Sequence, residues 1–141
     1  MPGFFPEGLM ATNFEPDGTD VQNSVRTNRY KRTQPVGDGF VVEQRMFILE
    51  VPGYDRVDET PCPDNEDIEI DDNKLEVRLS RKAPIPNDEW FEDGHSQDIY
   101  AVENKILTFD LEMGCSRTEI TQKNGLLTIV IEGKRSRPRH R

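Results

Sequence analysis

Apolar side chains recur at every second position in run after run of this sequence, a period that belongs to β-strands and not to helices. The stretch from Ile120 to Ile131 shows it best. Leu127, Ile129 and Ile131 fall on one face, and Leu126, Thr128 and Val130 on the other. Apolar residues on both faces imply a central strand, or one covered by a second layer. Asn124-Gly125 stands just before, and both residues tolerate the positive φ of a tight reversal. No catalytic group lies in this stretch, so its message is architectural and points to a binding fold.

The same reading along the chain predicts further strands. Phe40 to Val51 alternates Phe47, Leu49 and Val51 with Met46, Ile48 and Glu50, and Pro52-Gly53 ends it. Both of its faces are again apolar, so the outer one needs cover. Ile68 and Ile70 mark a short strand, and Asp72-Asn73 reads as a turn. Lys74 to Ser80 is amphipathic, with Leu75, Val77 and Leu79 on one side. Lys105 to Leu111 and Thr118 to Gln122 complete the set. Seven or so short strands without a helical period predict an all-β fold, an antiparallel β-sandwich of immunoglobulin-like type, over residues 40–132.

Composition places polar arms around that core. Of 141 residues 33% are hydrophobic and 32% charged, which suits one small domain with extended tails. Residues 1–39 contain Pro2, Pro6, Pro16 and Pro35 and no sustained period, and read as an N-terminal arm. Phe4, Phe5 and Phe14 interrupt it. That arm is either a disordered leader or a sticky segment that docks on a neighbour or client, because paired phenylalanines are costly to leave in water. Arg26, Arg29, Lys31 and Arg32 form a basic patch that suits acidic protein surface better than nucleic acid. Residues 133–141 form a basic tail with Lys134, Arg135, Arg137, Arg139 and Arg141. A tail of this kind can touch phosphates, contact an acidic neighbour or remain solvated. The net charge of −9 argues against general nucleic-acid binding. No apolar run approaches the roughly 20 residues of a membrane helix, and no secretory leader is expected. Cys62 and Cys115 lack CxxC spacing and read as reduced thiols of a reducing compartment. A cytoplasmic location is therefore expected, with a virion as the alternative.

Two loops invite chemistry and discourage it. Residues 55–72 carry nine carboxylates against Arg56. A calcium loop would need a glycine at its sixth position and a closing glutamate, and neither is in place, so a solvated acidic loop is expected. Residues 83–104 form a long connection containing Trp90-Phe91. That pair either folds back on its own domain or anchors a partner subunit, in which case Trp90→Ala would weaken self-association. His95, Ser96 and Asp98 resemble a triad only in composition. Three neighbours on a polar loop rarely converge in that geometry, and no oxyanion-hole motif accompanies them. Neither enzymatic activity, a cofactor nor a metal is expected.

The order of motifs resembles the small heat shock proteins. Leu49-Glu-Val-Pro-Gly-Tyr54 is similar to the Leu-Pro-Gly-Phe that closes an early strand of that family. Glu66 to Leu75 resembles its Glu-Asp-Ile segment and the following strand, and Leu107 to Glu112 its Phe-x-Leu-Pro strand. Ile120 to Leu127 matches the Ala-x-x-x-Asn-Gly-Val-Leu signature at Asn124, Gly125 and Leu127. The resemblance covers about 40–132 and implies an alpha-crystallin domain. The chain also departs from the family. Ile120 replaces the signature alanine, an insertion containing Pro61-Cys62-Pro63 separates Gly53 from the Glu-Asp-Ile segment, and the tail lacks the Ile-x-Ile motif that builds large cages. By resemblance, Ile68, Ile70 and Ile120 would line a groove for a partner or client. The resemblance implies an ATP-independent holdase that binds unfolding clients by hydrophobic and edge-strand contact. Its alternative is a structural subunit of a larger assembly such as a viral or phage particle, in which Phe4, Phe5 and Phe14 would be buried against other chains. A co-chaperone docking on one partner is a third reading. In each case the partners are proteins, clients or neighbouring subunits, and a homo-oligomer or larger assembly is expected.

Overall fold

The computed structural model describes residues 13–84 and 100–137, and among these it contains strands and no helix. The strands are β1 (Glu15–Gln22), β2 (Val25–Gly37), β3 (Phe40–Glu50), β4 (Ile68–Asp71), β5 (Lys74–Pro84), β6 (Tyr100–Asp110), β7 (Cys115–Lys123) and β8 (Leu126–Gly133). All pairings are antiparallel. They build a five-stranded sheet in the order β1-β2-β3-β8-β7 and a three-stranded sheet in the order β4-β5-β6.

Alternation decides which side chains meet between the sheets. Phe47 and Leu49 of β3, Ile120 of β7, and Leu127, Ile129 and Ile131 of β8 share one buried core with Leu75, Val77 and Leu79 of β5 and Leu107 and Phe109 of β6. The Phe47 and Phe109 rings touch across the two layers, with centroids 5.2 Å apart and planes tilted by 47°, an arrangement aromatic quadrupoles favour over a flat sandwich. Burying each such side chain contributes roughly 1.5–3 kcal/mol. The sheets are joined by this core, since no ladder among the described strands runs from one sheet to the other. The outer faces of β3 and β8 are also covered, as their apolar pattern requires: Val42, Met46 and Val130 are buried there. Gln44 lies among them, accepting from Arg32 Nε and donating to Glu132 Oε1 at 2.9 Å.

The expected turn at Asn124-Gly125 is present, with φ of 55° and 77°. Positive φ at both central residues matches the right-handed twist of a hairpin, here β7–β8. Asn23 and Ser24 turn β1 into β2 in the same way, with φ of 51° and 65°.

Three boundaries differ from the sequence reading. Residues 13–39 are not an arm but the β1–β2 hairpin, which extends the larger sheet from β3. Its cohesion is ionic where the other strands are apolar, and this hides it from a hydrophobic period. Arg29 Nε sits 2.7 Å from Asp20 Oδ2, a charge contact whose N–H points off the oxygen, and Arg29 and Lys31 both reach Asp17 at 3.5 Å. The basic patch thus faces acidic side chains, as its composition suggests. The long connection is shorter at both ends than 83–104. The pairing of β5 with β6 continues out to Pro84 and Tyr100, and Trp90, Phe91, His95, Ser96 and Asp98 lie outside the described residues, as do Phe4 and Phe5. The start of the basic tail is docked. Ser136 exchanges backbone hydrogen bonds with Val41 at 2.7 and 2.9 Å, and the Arg135 and Arg137 guanidinium groups each stack on Phe40 at 4.6 Å.

Candidate functional site

Two stacked sheets leave two open sides, and backbone edges there are where another polypeptide could add. On one side β4 faces β7. The residues that the family resemblance groups as a groove lie here, but they do not form an open slot. Ile68 and Ile120 are buried in the core, 1% and 4% exposed, and Ile70 packs at its margin. The loop between β3 and β4 lies along this side. Val57, 7% exposed, enters the core as its anchor. The Val57 N–H donates to Gln122 Oε1 at 2.9 Å, the Cys62 N–H to Thr118 Oγ1 at 2.8 Å, and Arg56 to the Gln122 carbonyl at 3.1 Å. The Arg78 N–H donates to the Asp67 carbonyl at 2.9 Å and ties the far end of the loop to β5.

The acidic residues of this loop fold it upon itself. Asp58 accepts from the Thr60 hydroxyl at 2.6 Å, the Thr60 N–H at 3.0 Å and the Glu66 N–H at 3.0 Å. These donors, the hydroxyl foremost, hold its carboxyl below the usual carboxylate range. Asn65 Oδ1 accepts from the Asp67 and Ile68 N–H groups, both at 2.7 Å, and its amide donates to the Asp58 and Thr60 carbonyls. The loop is therefore exposed in its carboxylates, as the sequence suggests, and anchored by Val57, which the sequence reading passed over. A lone apolar residue between Arg56 and Asp58 was its sole signal.

On the other side β6 faces the β1–β2 turn. Gln22 takes both outward backbone groups of Thr108: its Nε2 donates to the Thr108 carbonyl at 3.0 Å and its Oε1 accepts the Thr108 N–H at 2.8 Å. Asn23 Nδ2 donates to the Ile106 carbonyl at 2.8 Å, and Lys105 Nζ donates to the Asn23 carbonyl at 2.8 Å. The polar groups of Ile106 and Thr108 thus point out of the sheet. In an antiparallel pair this direction alternates along the strand, so those of Val102 and Asn104 point out as well, beyond the reach of Gln22 and Asn23. No described residue hydrogen-bonds to them.

This upper part of β6 also carries apolar surface. Val102 is 66% exposed and Ile106 53%, on the sheet face away from the core. The opposite face of the β5–β6 hairpin is closed by Tyr54, over whose ring Arg81 and Lys105 stack at 4.8 and 5.4 Å. Arg81 is also ion-paired to Glu103 beside it, a hydrogen bond that raises the guanidinium pKa further. The edge at 102–104, unpaired among the described residues, is not legible in the sequence, because an edge is a property of sheet order. Phe14 stands just ahead of β1, half-buried, with the Arg32 guanidinium over its ring at 4.4 Å. Burial lowers the Arg32 pKa, against the opposing pull of Glu132.

No family model matches the chain, and comparison with curated proteins and with solved structures finds no significant similarity.

Proposed function

We propose that this chain is a small-heat-shock-protein-like binding module, an alpha-crystallin-type, immunoglobulin-like sandwich that holds other polypeptides without ATP and without covalent chemistry. The observation that carries the reading is the upper edge of β6, to which no described residue hydrogen-bonds. Backbone donors and acceptors at Val102 and Asn104 face outward, and Val102 and Ile106 flank them with exposed apolar surface. An extended segment of an unfolding client offers the complementary set, namely main-chain groups to extend the ladder and apolar side chains to cover the two residues. The sequence motifs from Leu49 to Leu127 support the same family reading, as do two antiparallel sheets around one core. The burial of Ile68 and Ile120 directs the proposal to β6 and away from the groove of Ile68, Ile70 and Ile120.

The test is suppression of aggregation of a heated client at near-stoichiometric ratio. Val102→Pro removes one outward N–H and one exposed side chain and leaves the β5 ladder intact, since proline is tolerated where its nitrogen faces solvent on an edge strand. The variant is expected to match the parent's far-ultraviolet dichroism and thermal midpoint and to lose most of the protection. Equal protection by the variant would reject β6 as the site. A parent chain that gives none would reject the holdase and leave the structural-subunit reading in its place.

A further inference from the structure

The two cysteines are 53 positions apart (115 − 62) and the fold brings them to the same place. Cys62 is on the loop that covers the β4–β7 side, and Cys115 is the first residue of β7. Both are half-buried, both pack against the rim of the core, and both line one cleft of about 450 Å³ with Ile70, Asn73 and Lys134. The Cys62 backbone is fastened to Thr118, three residues along β7 from Cys115. Neither sulfur is firmly held. The Cys62 thiol donates to the Ile68 carbonyl at 3.3 Å and the Cys115 thiol to the Arg117 carbonyl at 3.7 Å, and S–H is a weak donor. The loop meets β7 through side-chain hydrogen bonds and the Val57 anchor, with no backbone ladder between β4 and β7.

From this juxtaposition we infer that Cys62 and Cys115 form a dithiol site that reacts with small-molecule disulfides and closes to an intramolecular bond, locking the loop across the β4–β7 side. The inference is independent of the holdase reading. In the first step one cysteine thiolate attacks the reagent; the reagent's S–S bond breaks, a mixed disulfide forms and one thiolate leaves. The second cysteine, deprotonated, then attacks the protein sulfur of that mixed disulfide and expels the second reagent thiolate. The chain has lost two protons and two electrons, and the reagent disulfide has become two thiols. A protein disulfide needs Cα atoms about 4.4–6.8 Å apart, and the loop is the member able to adjust. Burial raises both thiols above their ordinary pKa. Asp58, Glu69 and Cys115 itself add to the effect on Cys62, which the Thr118 hydrogen bond opposes. The reaction is thus slow at neutral pH and quickens as the medium is made alkaline and the thiolate fraction grows.

The experiment treats the folded, reduced full chain with oxidised glutathione at mildly alkaline pH and follows intact mass and free thiols. The expected product has lost the mass of two hydrogens, keeps no free thiol, yields a 62–115 cross-linked peptide, and melts several degrees higher because a long loop is closed in the unfolded chain. Cys62→Ser and Cys115→Ser should each instead accumulate one glutathione adduct. Phenylarsine oxide, which bridges paired thiols, should bind the parent one-to-one and resist competition by a monothiol. Two separate glutathione adducts on the parent, thiols that react only when the chain is unfolded, or bonds that form only between chains would each overturn the inference.

Discussion

Gln22 and Gln122 do with side-chain amides what a further strand would do with its backbone. Each stands where one sheet ends and the other begins: Gln22 takes up the outward groups of Thr108, and Gln122 the N–H of Val57. Backbone groups left without partners at such edges would recruit other chains, so the two glutamines define by exclusion where binding remains open. Thr27 shows the opposite case. It is fully buried opposite Leu49, and its hydroxyl finds no hydrogen-bond partner among the described residues. A buried unsatisfied hydroxyl costs about 1–3 kcal/mol, and valine has the same shape without the polar atom. Thr27→Val is therefore expected to stabilise the chain by about 1 kcal/mol, read as a higher urea midpoint at unchanged slope. A lower midpoint would mean that the hydroxyl is solvated within the core.

Among the elements, the loop between β3 and β4 is held in part by a carboxylate whose pKa is lowered, that of Asp58. The lowered pKa of Asp58 means that its hydrogen bonds to Thr60 and Glu66 stabilise the loop above the ordinary value of 3.8 and are lost as pH falls through the lower folded value. The protection of the Thr60 and Glu66 amides, taken as the NMR exchange rate relative to the intrinsic rate at each pH, should fall on acidification below 3.8, while the protection of β8 amides is unchanged in the same window. Asp58→Asn should flatten the response, and a parent that shows none would remove Asp58 from this role. The elements also show what a sequence of this kind discloses. β3, β8 and the inner halves of β5 and β6 were legible because each buries alternate apolar residues, and β4 and β7, which bury Ile68 and Ile120, because the turn signals Asp72-Asn73 and Asn124-Gly125 follow them. β1 and β2 were not, because the side chains facing each other along their ladder include Asp17, Asp20, Arg29 and Lys31 and their buried apolar contribution is Val25. The outer halves of β5 and β6 escaped for the same reason, since beyond Leu79 and Leu107 no core lies beneath them. Ile68, Ile70 and Ile120 were located together by family resemblance, but their accessibility was not legible. It depends on Val57 and on hydrogen bonds between segments far apart in the chain.

At the level of the whole molecule, cohesion falls off from one strand pair. β3 and β8 lie inside the larger sheet, with β2 and β7 beyond them, and they supply Phe47, Leu49, Leu127, Ile129 and Ile131 to the shared core. β1, β4 and the outer β5–β6 hairpin are edges or overhangs held by exposed ion pairs, which are worth roughly 0.2–1 kcal/mol each, and by solvent-accessible hydrogen bonds. Local opening should therefore expose those regions without unfolding the rest. This ordering sets which surfaces the molecule can offer while folded, and the upper edge of β6, unpaired among the described residues, belongs with the regions expected to open locally. Hydrogen exchange tests it directly. Amides of Leu127, Ile129 and Ile131 should exchange only through global unfolding, and those of the β1 and outer β6 residues much faster. Leu127→Ala leaves a cavity worth about 2–5 kcal/mol, so it should accelerate β8 exchange by roughly 30-fold to a few thousand-fold, at tenfold per 1.4 kcal/mol. The same substitution should leave exchange at Thr19 and Val102 within experimental scatter, because those amides open without the core. Equal acceleration at all sites would show instead that the edges are welded to the centre and that binding at β6 must be paid for by unfolding the whole domain.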